Sequence, residues 1–538
     1  MPKNQALTEL SAGRTVKDGF FPIILELILM SKDLNIPEII SKEIDKPKSN
    51  CAIFGIYNHP EAAVMTYFGL HALQHRGQEA SGICASEYLP GKNKFRFNIH
   101  KGHGLAHEVF FDQSILTNVL KGTAAIGHNR YSTTGASDSR SNIQPFKVNY
   151  KEGYLALSHN GNFTNTKELR ERLENEGTIF QTTSDSEILL HLIARSKKEK
   201  LVDKIIEACR QITGAYSIIL LSDDKLFAIR DPYAVRPLSM GKLNGSYIFA
   251  SETCAFDIID AEYVREIQPG EIVEIDKDVI KEGKEKSYFI EKTGHTNHCI
   301  FEYVYFSRPD STIFGNTVDK ARRKLGKNLA IEKPAPKSTI DEKKVVVISV
   351  PDSSNTATLG FLTEGIKSNK FMKLELALIR SHYIGRTFIQ PGQNNREMKV
   401  KSKFNTVKAA LKDRIVVIVD DSIVRGTTMK LLVKLVKEAK PKQIHLRITS
   451  PPIVAPCHYG MDFPSMDELI ANQCGNDLEK IRQYLEVDSV EYLSIEKLHA
   501  SVPQGTDVYG NKIGYCDACF TRNYPIPIEH IDKLEFED

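Results

Sequence analysis

The stretch Ile415-Val-Val-Ile-Val-Asp-Asp-Ser-Ile-Val-Arg-Gly-Thr-Thr428 decides the fold. Its five branched apolar residues predict a parallel strand buried on both faces, because a strand covered by helices on either side reads as an unbroken apolar run. Asp420 and Asp421 fall at the carboxyl end of that strand, where open α/β sheets bind their ligands. Two adjacent carboxylates can accept hydrogen bonds from a sugar diol, and mere packing does not call for Asp-Asp at the end of a buried strand. Ser422 to Thr428 then supplies small residues, hydroxyls and one glycine ahead of an amphipathic helix with the stripe Leu432, Leu435, Val436 and Ala439. Backbone N–H groups and hydroxyls at such a helix start hold a phosphate, so the segment predicts a sugar-phosphate site.

Working outward, strands are expected near residues 345 to 350, 375 to 379, 415 to 419 and 444 to 449, alternating with helical stretches. That alternation argues for a mostly parallel sheet with helices on its faces. A second strand-to-loop element, Val345-Val-Val-Ile-Ser-Val-Pro-Asp-Ser-Ser354, lies upstream of the acidic pair. Between the second and third strands, Tyr383 to Gly392 and the Asn, Arg and Lys residues up to Lys403 form a polar, Gly-containing segment of the length of a lid.

The segment 415 to 428 resembles the signature of the type I phosphoribosyltransferases. In that family the acidic pair binds the ribose of 5-phosphoribosyl 1-pyrophosphate (PRPP) and the loop after it binds the 5-phosphate. The resemblance makes Ser353, Asp420, Asp421, Ser422, Arg425, Gly426, Thr427 and Thr428 the expected PRPP-binding residues. It implies that residues 345 to 354 are the pyrophosphate loop, and that Ser353, Asp420 and Asp421 surround a magnesium ion. Hard oxygen donors beside a pyrophosphate suit that cation. Arg380-Ser381-His382 departs from the Lys-Asn-Arg more common in relatives.

The rest of the chain sets bounds on what accompanies this domain. At 538 residues it is too long for one ordinary domain, and 41% apolar with 26% charged residues is the composition of a soluble globular protein with material for two large cores. A net charge of +3, from 71 basic and 68 acidic side chains, excludes the global field of a nucleic-acid binder. No apolar run approaches the ~20 residues needed to span a bilayer. Phe20 to Met30 resembles a signal-peptide core only loosely, because Glu26 interrupts it. Nine scattered cysteines point to a reducing, cytoplasmic compartment.

In the N-terminal half, Cys51 to Tyr57 reads as a strand, Glu61 to Leu73 as a helix, and Gln74-His-Arg-Gly-Gln-Glu-Ala-Ser-Gly82 as a polar connection. Gly127 to Gly135, Leu157 to Asn162 and Thr182 to Glu187 follow, each a polar cluster beside an apolar run, as in a site assembled from loops. In their order these motifs resemble the class II glutamine amidotransferases, whose catalytic Cys stands at the mature amino terminus. Together with the C-terminal signature, residues 51 to 525 resemble the amidophosphoribosyltransferase family, in its iron-sulfur-containing branch.

The resemblance implies an α+β N-terminal nucleophile (αββα) glutamine amidotransferase domain over 51–290, followed by an α/β type I phosphoribosyltransferase domain over 291–525. A tail over 526–538 would close the chain. Cys51 is the expected nucleophile, Asn160 and the backbone N–H of Gly161 its oxyanion hole, and Arg76, Arg130 and Asp185 the glutamine-binding residues. A thiol is a weak nucleophile until a base takes its proton, and a free α-amine with a reference pKa near ~7.7 can act on the same residue where an amide cannot. Residues 1–50 are therefore expected to be a leader that is removed, with translation starting at Met1 or Met30.

Cys516-Asp-Ala-Cys519 is the only close cysteine pair, and alone it is compatible with a redox pair, zinc or no function. By resemblance, Cys299, Cys457, Cys516 and Cys519 are ligands of a [4Fe-4S] cluster, although four thiolates would also suit structural zinc. Cys84, Cys209, Cys254 and Cys474 read as small buried apolar residues. His71, His75 and His159 read as scaffolding.

The function implied is hydrolysis of glutamine at one site and transfer of its ammonia to PRPP at another. The products are 5-phosphoribosylamine, glutamate and pyrophosphate, in the first committed step of purine synthesis. The family also implies a homotetramer and feedback inhibition by purine nucleotides, with no nucleic-acid or membrane partner. A hexosamine-phosphate synthase or asparagine synthetase would lack the 415 to 428 signature. A PRPP-sensing regulator would not be expected to keep the whole glutamine pocket.

Overall fold

The computed structural model describes residues 51–131, 139–337, 345–381 and 403–528. The expected leader, the lid segment beyond Ser381 and most of the tail lie outside the described residues. No helix among the described residues is long and apolar enough to cross a membrane.

Strands buried on both faces build the N-terminal half. A seven-stranded antiparallel sheet runs Glu262–Glu266, Ser239–Leu243, Ser246–Ala250, Ala52–Tyr57, Ala124–Arg130, Ala80–Leu89 and Lys94–His103. A six-stranded one runs Lys286–Phe289, Glu271–Ile275, Leu226–Arg230, Gly214–Ser222, Gly153–Phe163 and Phe146–Tyr150. Successive side chains point to opposite faces of a strand. Ile53 and Tyr57 therefore meet Ile219 and Leu221 between the sheets. Ala52, Phe54 and Ile56 instead meet the Ala62–Ala72 helix, while Ile218 and Leu220 meet the helices Ser186–Arg195 and Leu201–Cys209. Both faces of each sheet are covered, giving helix, sheet, sheet and helix layers. Each fully buried Ile or Leu contributes roughly 1.5–3 kcal/mol to holding those layers together.

The C-terminal half is built on a five-stranded parallel sheet in the order Met372–Leu374, Val345–Ser349, Ile415–Asp420, Gln443–Ile448 and Ser489–Tyr492. Val345, Val347, Val417 and Val419 face one core. Val346, Ile348, Val416 and Ile418 face the other, which explains the unbroken apolar runs. After Val345–Ser349 the chain crosses to one neighbouring strand and later returns to the other side, so the topological switch lies between Val345–Ser349 and Ile415–Asp420. Ligands of open α/β sheets bind there, outside the carboxyl ends.

One expected strand divides. Residues 375 to 379 do not join the parallel sheet: Met372–Leu374 does, and Leu378–Arg380 pairs antiparallel with Phe404–Thr406. Leu376 and Ile379 are exposed, which is the pattern of a two-stranded flap rather than of a strand covered on both faces. The short strand Ser489–Tyr492 was not anticipated, since four residues give little periodicity to read. Cys84, Cys209 and Cys254 are buried, whereas Cys474 is half-exposed beside the second core.

Candidate active sites

Two sites form where strand ends meet loops. The first surrounds Cys51, immediately before the Ala52–Tyr57 strand and 7% exposed. Its small polar pocket is lined by Cys51, Arg130, Tyr131, Asn142, Gln144, His159, Gly161, Ser184, Asp185 and Ser186. These residues come from the end of Ala124–Arg130, the end of Gly153–Phe163 and the start of the Ser186–Arg195 helix. The thiol donates to the Tyr131 carbonyl at 3.3 Å. Burial pushes its pKa up to about 11, against the lowering effect of that bond and of Arg130.

The neighbouring Asn160 is fully buried, and among the described residues neither its Nδ2 nor its Oδ1 has a hydrogen-bond partner. A buried polar group left in that condition costs ~1–3 kcal/mol, which a substrate oxygen accepting from Nδ2 would offset. Gly161 follows at φ +151°, and a Cβ there would lie 2.0 Å from the Ala215 carbonyl oxygen, so only glycine fits. Asp185 is fixed by the Phe163 N–H, which donates to Oδ2 at 2.9 Å, and by the Ser186 hydroxyl, which donates to Oδ1 at 3.0 Å. His159 Nδ1 lies 2.8 Å from the same Ser186 hydroxyl, and burial lowers its pKa even though Asp185 acts the other way. His159 is thus a neutral wall of the pocket as well as scaffolding.

Arg76 stands elsewhere than expected. It is not among the lining residues but fully buried behind the nucleophile, with Nε donating to the Cys51 carbonyl at 3.4 Å. Its other nitrogens pair with Glu252 at 2.5 Å and Glu302 at 2.7 Å. Burial raises the Glu252 carboxyl, but His75 and Arg76 outweigh it and hold the group well below the usual carboxylate range. Asn142, Gln144, Ser184 and Ser186 line the pocket although sequence reasoning assigned them nothing. Ser184 and Ser186 lay inside the quoted Thr182 to Glu187 motif, whereas Gln144 gave no signal at all.

The second site lies at the topological switch. Asp420 and Asp421 are 2% and 1% exposed at the end of their strand. Ser353 Oγ donates to Asp421 Oδ2 at 2.5 Å. Ser354 Oγ donates to Asp420 Oδ1 at 2.8 Å and reaches Asp421 Oδ2 at 3.3 Å. Ser354 closed the quoted loop but had been given no role, and it touches both carboxylates. Ser422 Oγ donates to the other Asp421 oxygen at 2.7 Å. Gly426 caps the Thr427–Lys437 helix at φ +78°, with Thr427 exposed at the helix start, where backbone N–H groups lack intrahelical partners. Arg425 pairs with Glu468 at 3.1 Å. This all-oxygen donor set fits a hard cation such as magnesium.

The four expected cluster ligands also converge. The parallel pairing of His298–Cys299 with Tyr515–Cys516 sets Cys299 opposite Cys516. The Val454 and Ala455 N–H groups donate to the Cys519 carbonyl at 2.9 and 3.2 Å, drawing Cys519 toward the segment that leads to Cys457. Burial and then their mutual repulsion push the Cys516 and Cys519 thiols well up. Cys299 rises to about 12 through burial, against Arg236. All nine cysteines are free. As neutral thiols they need no partner; to bind as thiolates they would require a cationic group among them. Among the described residues no three His, Cys, Asp or Glu are placed to hold a single metal ion.

Known proteins match this architecture in both halves. A family model described as a glutamine amidotransferase domain matches residues 128–257, and one described as a phosphoribosyl transferase domain matches residues 337–449. The chain is 43% identical over 516 residues to a chloroplastic amidophosphoribosyltransferase of Glycine max, covering 94% of this chain and 84% of that protein. It is 42% identical over 488 residues to the amidophosphoribosyltransferase of Bacillus subtilis, covering 90% and 96%. A solved structure of the glutamine PRPP amidotransferase from B. subtilis complexed with ADP and GMP superposes with a TM-score of 0.79 at 41% identity, covering 89% of this chain and 98% of that one. The glutamine amidotransferase and phosphoribosyltransferase folds follow one another in a single chain, at these identities along most of the length of each relative, so the chain belongs to the amidophosphoribosyltransferase family.

Proposed function

We propose that this enzyme cleaves glutamine at Cys51 and passes the ammonia to C1 of PRPP, yielding glutamate, pyrophosphate and 5-phosphoribosylamine. The observation that carries the reading is a buried nucleophile beside an unpartnered Asn160 in one half, joined to a buried carboxylate pair at a sheet switch point in the other. With its thiol pushed up to about 11, Cys51 in the uncleaved chain holds only ~10⁻⁴ of its population as thiolate at neutral pH. Removal of residues 1–50 would free an α-amine on the same residue to take the proton.

The sulfur attacks the side-chain amide carbon. Asn160 Nδ2 and the Gly161 N–H stabilise the oxygen as it gains charge, ammonia departs, and water then releases glutamate from the thioester. Arg130 pairs with the substrate carboxylate and Asp185 with its ammonium. Arg76 positions Cys51 through the carbonyl it grips.

At the second site Asp420 and Asp421 accept from the ribose diol, and Ser422, Arg425, Gly426, Thr427 and Thr428 surround the 5-phosphate. The nitrogen of ammonia forms its bond to C1 as the bond from C1 to the pyrophosphate oxygen breaks. Ser353, Asp420 and Asp421 would hold magnesium, which when bound neutralises charge on the departing pyrophosphate.

Cys299, Cys457, Cys516 and Cys519 would hold a [4Fe-4S] cluster with a structural role, pinning the end of the chain. Regulation by purine nucleotides is supported by the ADP and GMP in the B. subtilis relative. We place the enzyme in the cytoplasm as a homotetramer, with domains over 51–290 and 291–525. Plant relatives are named chloroplastic, but residues 1–50 hold seven carboxylates and a single arginine, Arg14, whereas transit peptides are Arg-rich and acidic-poor.

The test is PRPP-dependent pyrophosphate release with glutamine and, separately, with ammonium. Cys51→Ala should lose only the glutamine-driven reaction. Failure of the intact enzyme to release pyrophosphate with either nitrogen source would refute the reading. Iron and sulfide analysis decides the cluster, and zinc alone would overturn it.

A further inference from the structure

The strand that carries Asn160 and Gly161 is buttressed by the other half of the chain. Asn162 Nδ2 donates to the His458 carbonyl at 3.1 Å. Gly460, at φ +98°, lies with its backbone against that of Gly161: a Cβ built on it would stand 2.8 Å from the Gly161 carbonyl carbon and 2.9 Å from its Cα. Between these two contacts the Tyr459 carbonyl accepts from Arg236 Nε at 2.8 Å and from a second guanidinium nitrogen.

The fully buried Arg236 also pairs with Glu302 at 3.4 Å. Glu302 pairs with Arg76, and Arg76 reaches the Cys51 carbonyl. Three buried charges therefore link the backbone of the nucleophile to the backbone that presses on the oxyanion glycine. The Tyr459 N–H in turn donates to Cys457 Sγ at 3.3 Å. Cys299 and Cys457 are near enough to Arg236 to bear on its charge, so the same guanidinium lies beside the thiol site.

Oxyanion stabilisation depends on donors held in place before the reaction. Gly161 has no side chain to lock it into the sheet, and its backbone is approached closely by those of Ala215 and Gly460. A side chain at 460 would meet backbone atoms, which cannot rotate out of the way as a flexible side chain could.

We propose that Gly460 and Arg236 are positioning residues for the glutamine half-reaction, holding Gly161 in place from the phosphoribosyltransferase half of the chain. Glutamine cleavage is then competent only while the Cys457–Gly460 segment is seated. The inference rests on the reading of Cys51 and Gly161 given above.

Gly460→Ala and Arg236→Lys test it on the full-length, processed enzyme. Gly460→Ala should lower kcat for the glutamine-driven reaction about 10²-fold, the lower end of what loss of an oxyanion donor costs. The glutamine KM, the ammonium-driven rate, and the iron, sulfide and zinc content should stay near wild type. Arg236→Lys keeps the charge but loses the two-nitrogen grip on Tyr459, and should show the same split at about tenfold, one lost hydrogen bond's worth of alignment. Should Gly460→Ala fail to fold, Arg236→Lys carries the test. Wild-type glutamine kcat in the folded variants would overturn the proposal. So would parallel loss of ammonium-driven activity or of metal, which would make these packing residues only. Cys51→Ala separates the two levels: if it keeps glutamine-driven activity the underlying reading fails, whatever Gly460 does.

Discussion

The glutamine pocket and the phosphoribosyl site are built by opposite means. Around Cys51, groups arrive from residues 130, 144, 161 and 185, on separate strands and loops of the two antiparallel sheets and a helix start. At the other site nearly everything comes from two short runs, 353–354 and 420–428, at the ends of adjacent parallel strands, with Thr427 exposed. A thiol attack needs several groups fixed about one carbon from different directions, which only convergence of distant segments supplies. A phosphate and a diol can be held by one strand end, one loop and one helix start.

The contrast predicts which substitutions stay local to one half-reaction. The largest effect should come from keeping the leader. A chain whose intact mass shows residues 1–50 retained should be slower with glutamine by ~10³–10⁴, following its scarce thiolate, and unchanged with ammonium. The sign follows from the raised thiol: alkylation of Cys51 in that chain should climb about tenfold per pH unit from neutral toward about 11. A fully glutamine-active chain that retained its leader would break the comparison at its root.

Next, Asp421→Asn should lower pyrophosphate release about 10²–10³-fold with both nitrogen sources, through loss of a buried carboxylate that positions PRPP and its cation. An effect confined to glutamine would mean that the sites are not separable in this way. Asn160→Ala should cost about 10²-fold in kcat with glutamine alone and leave the glutamine KM nearly untouched, as expected of a donor used mainly in the transition state. A raised KM at constant kcat would instead assign Asn160 to substrate binding.

The smallest change expected is from Gly426→Ala. The φ of +78° costs an L-residue ~1–2 kcal/mol, and its Cβ would approach Ile470 Cδ1 to 2.4 Å. A KM for PRPP raised by roughly 5–30-fold, the same energy expressed as a ratio, would sharpen the view that this loop binds through backbone shape. An unchanged KM would leave Gly426 a packing glycine.

Much of this was legible in the sequence because it is local. A run of branched residues closing in Asp420-Asp421, then a glycine and two threonines, specifies strand, turn and helix within fourteen residues. The apolar run after Cys51 likewise reads as a strand, but its antiparallel pairing is not local. Local pattern could not show that Leu378–Arg380 turns away from the parallel sheet, because a half-apolar run of that length fits a flap as well as an inner strand. Nor could it show that Ser354, beside the expected Ser353, touches both carboxylates.

The sequence by itself determined the parallel α/β sheet and its sugar-phosphate strand end, since apolar runs and strand-end residues are properties of short segments, and through the resemblance its ordered motifs carry it pointed to the amidotransferase domain ahead of it. Only the tertiary structure decided which way each long side chain faces. Arg76 turned from the pocket into a buried network with Glu252 and Glu302, residues 176 and 226 positions away. Gln144 entered the pocket and Gly460 came to lie against Gly161. Such contacts are set by how layers close over one another, and no spacing along the chain encodes them.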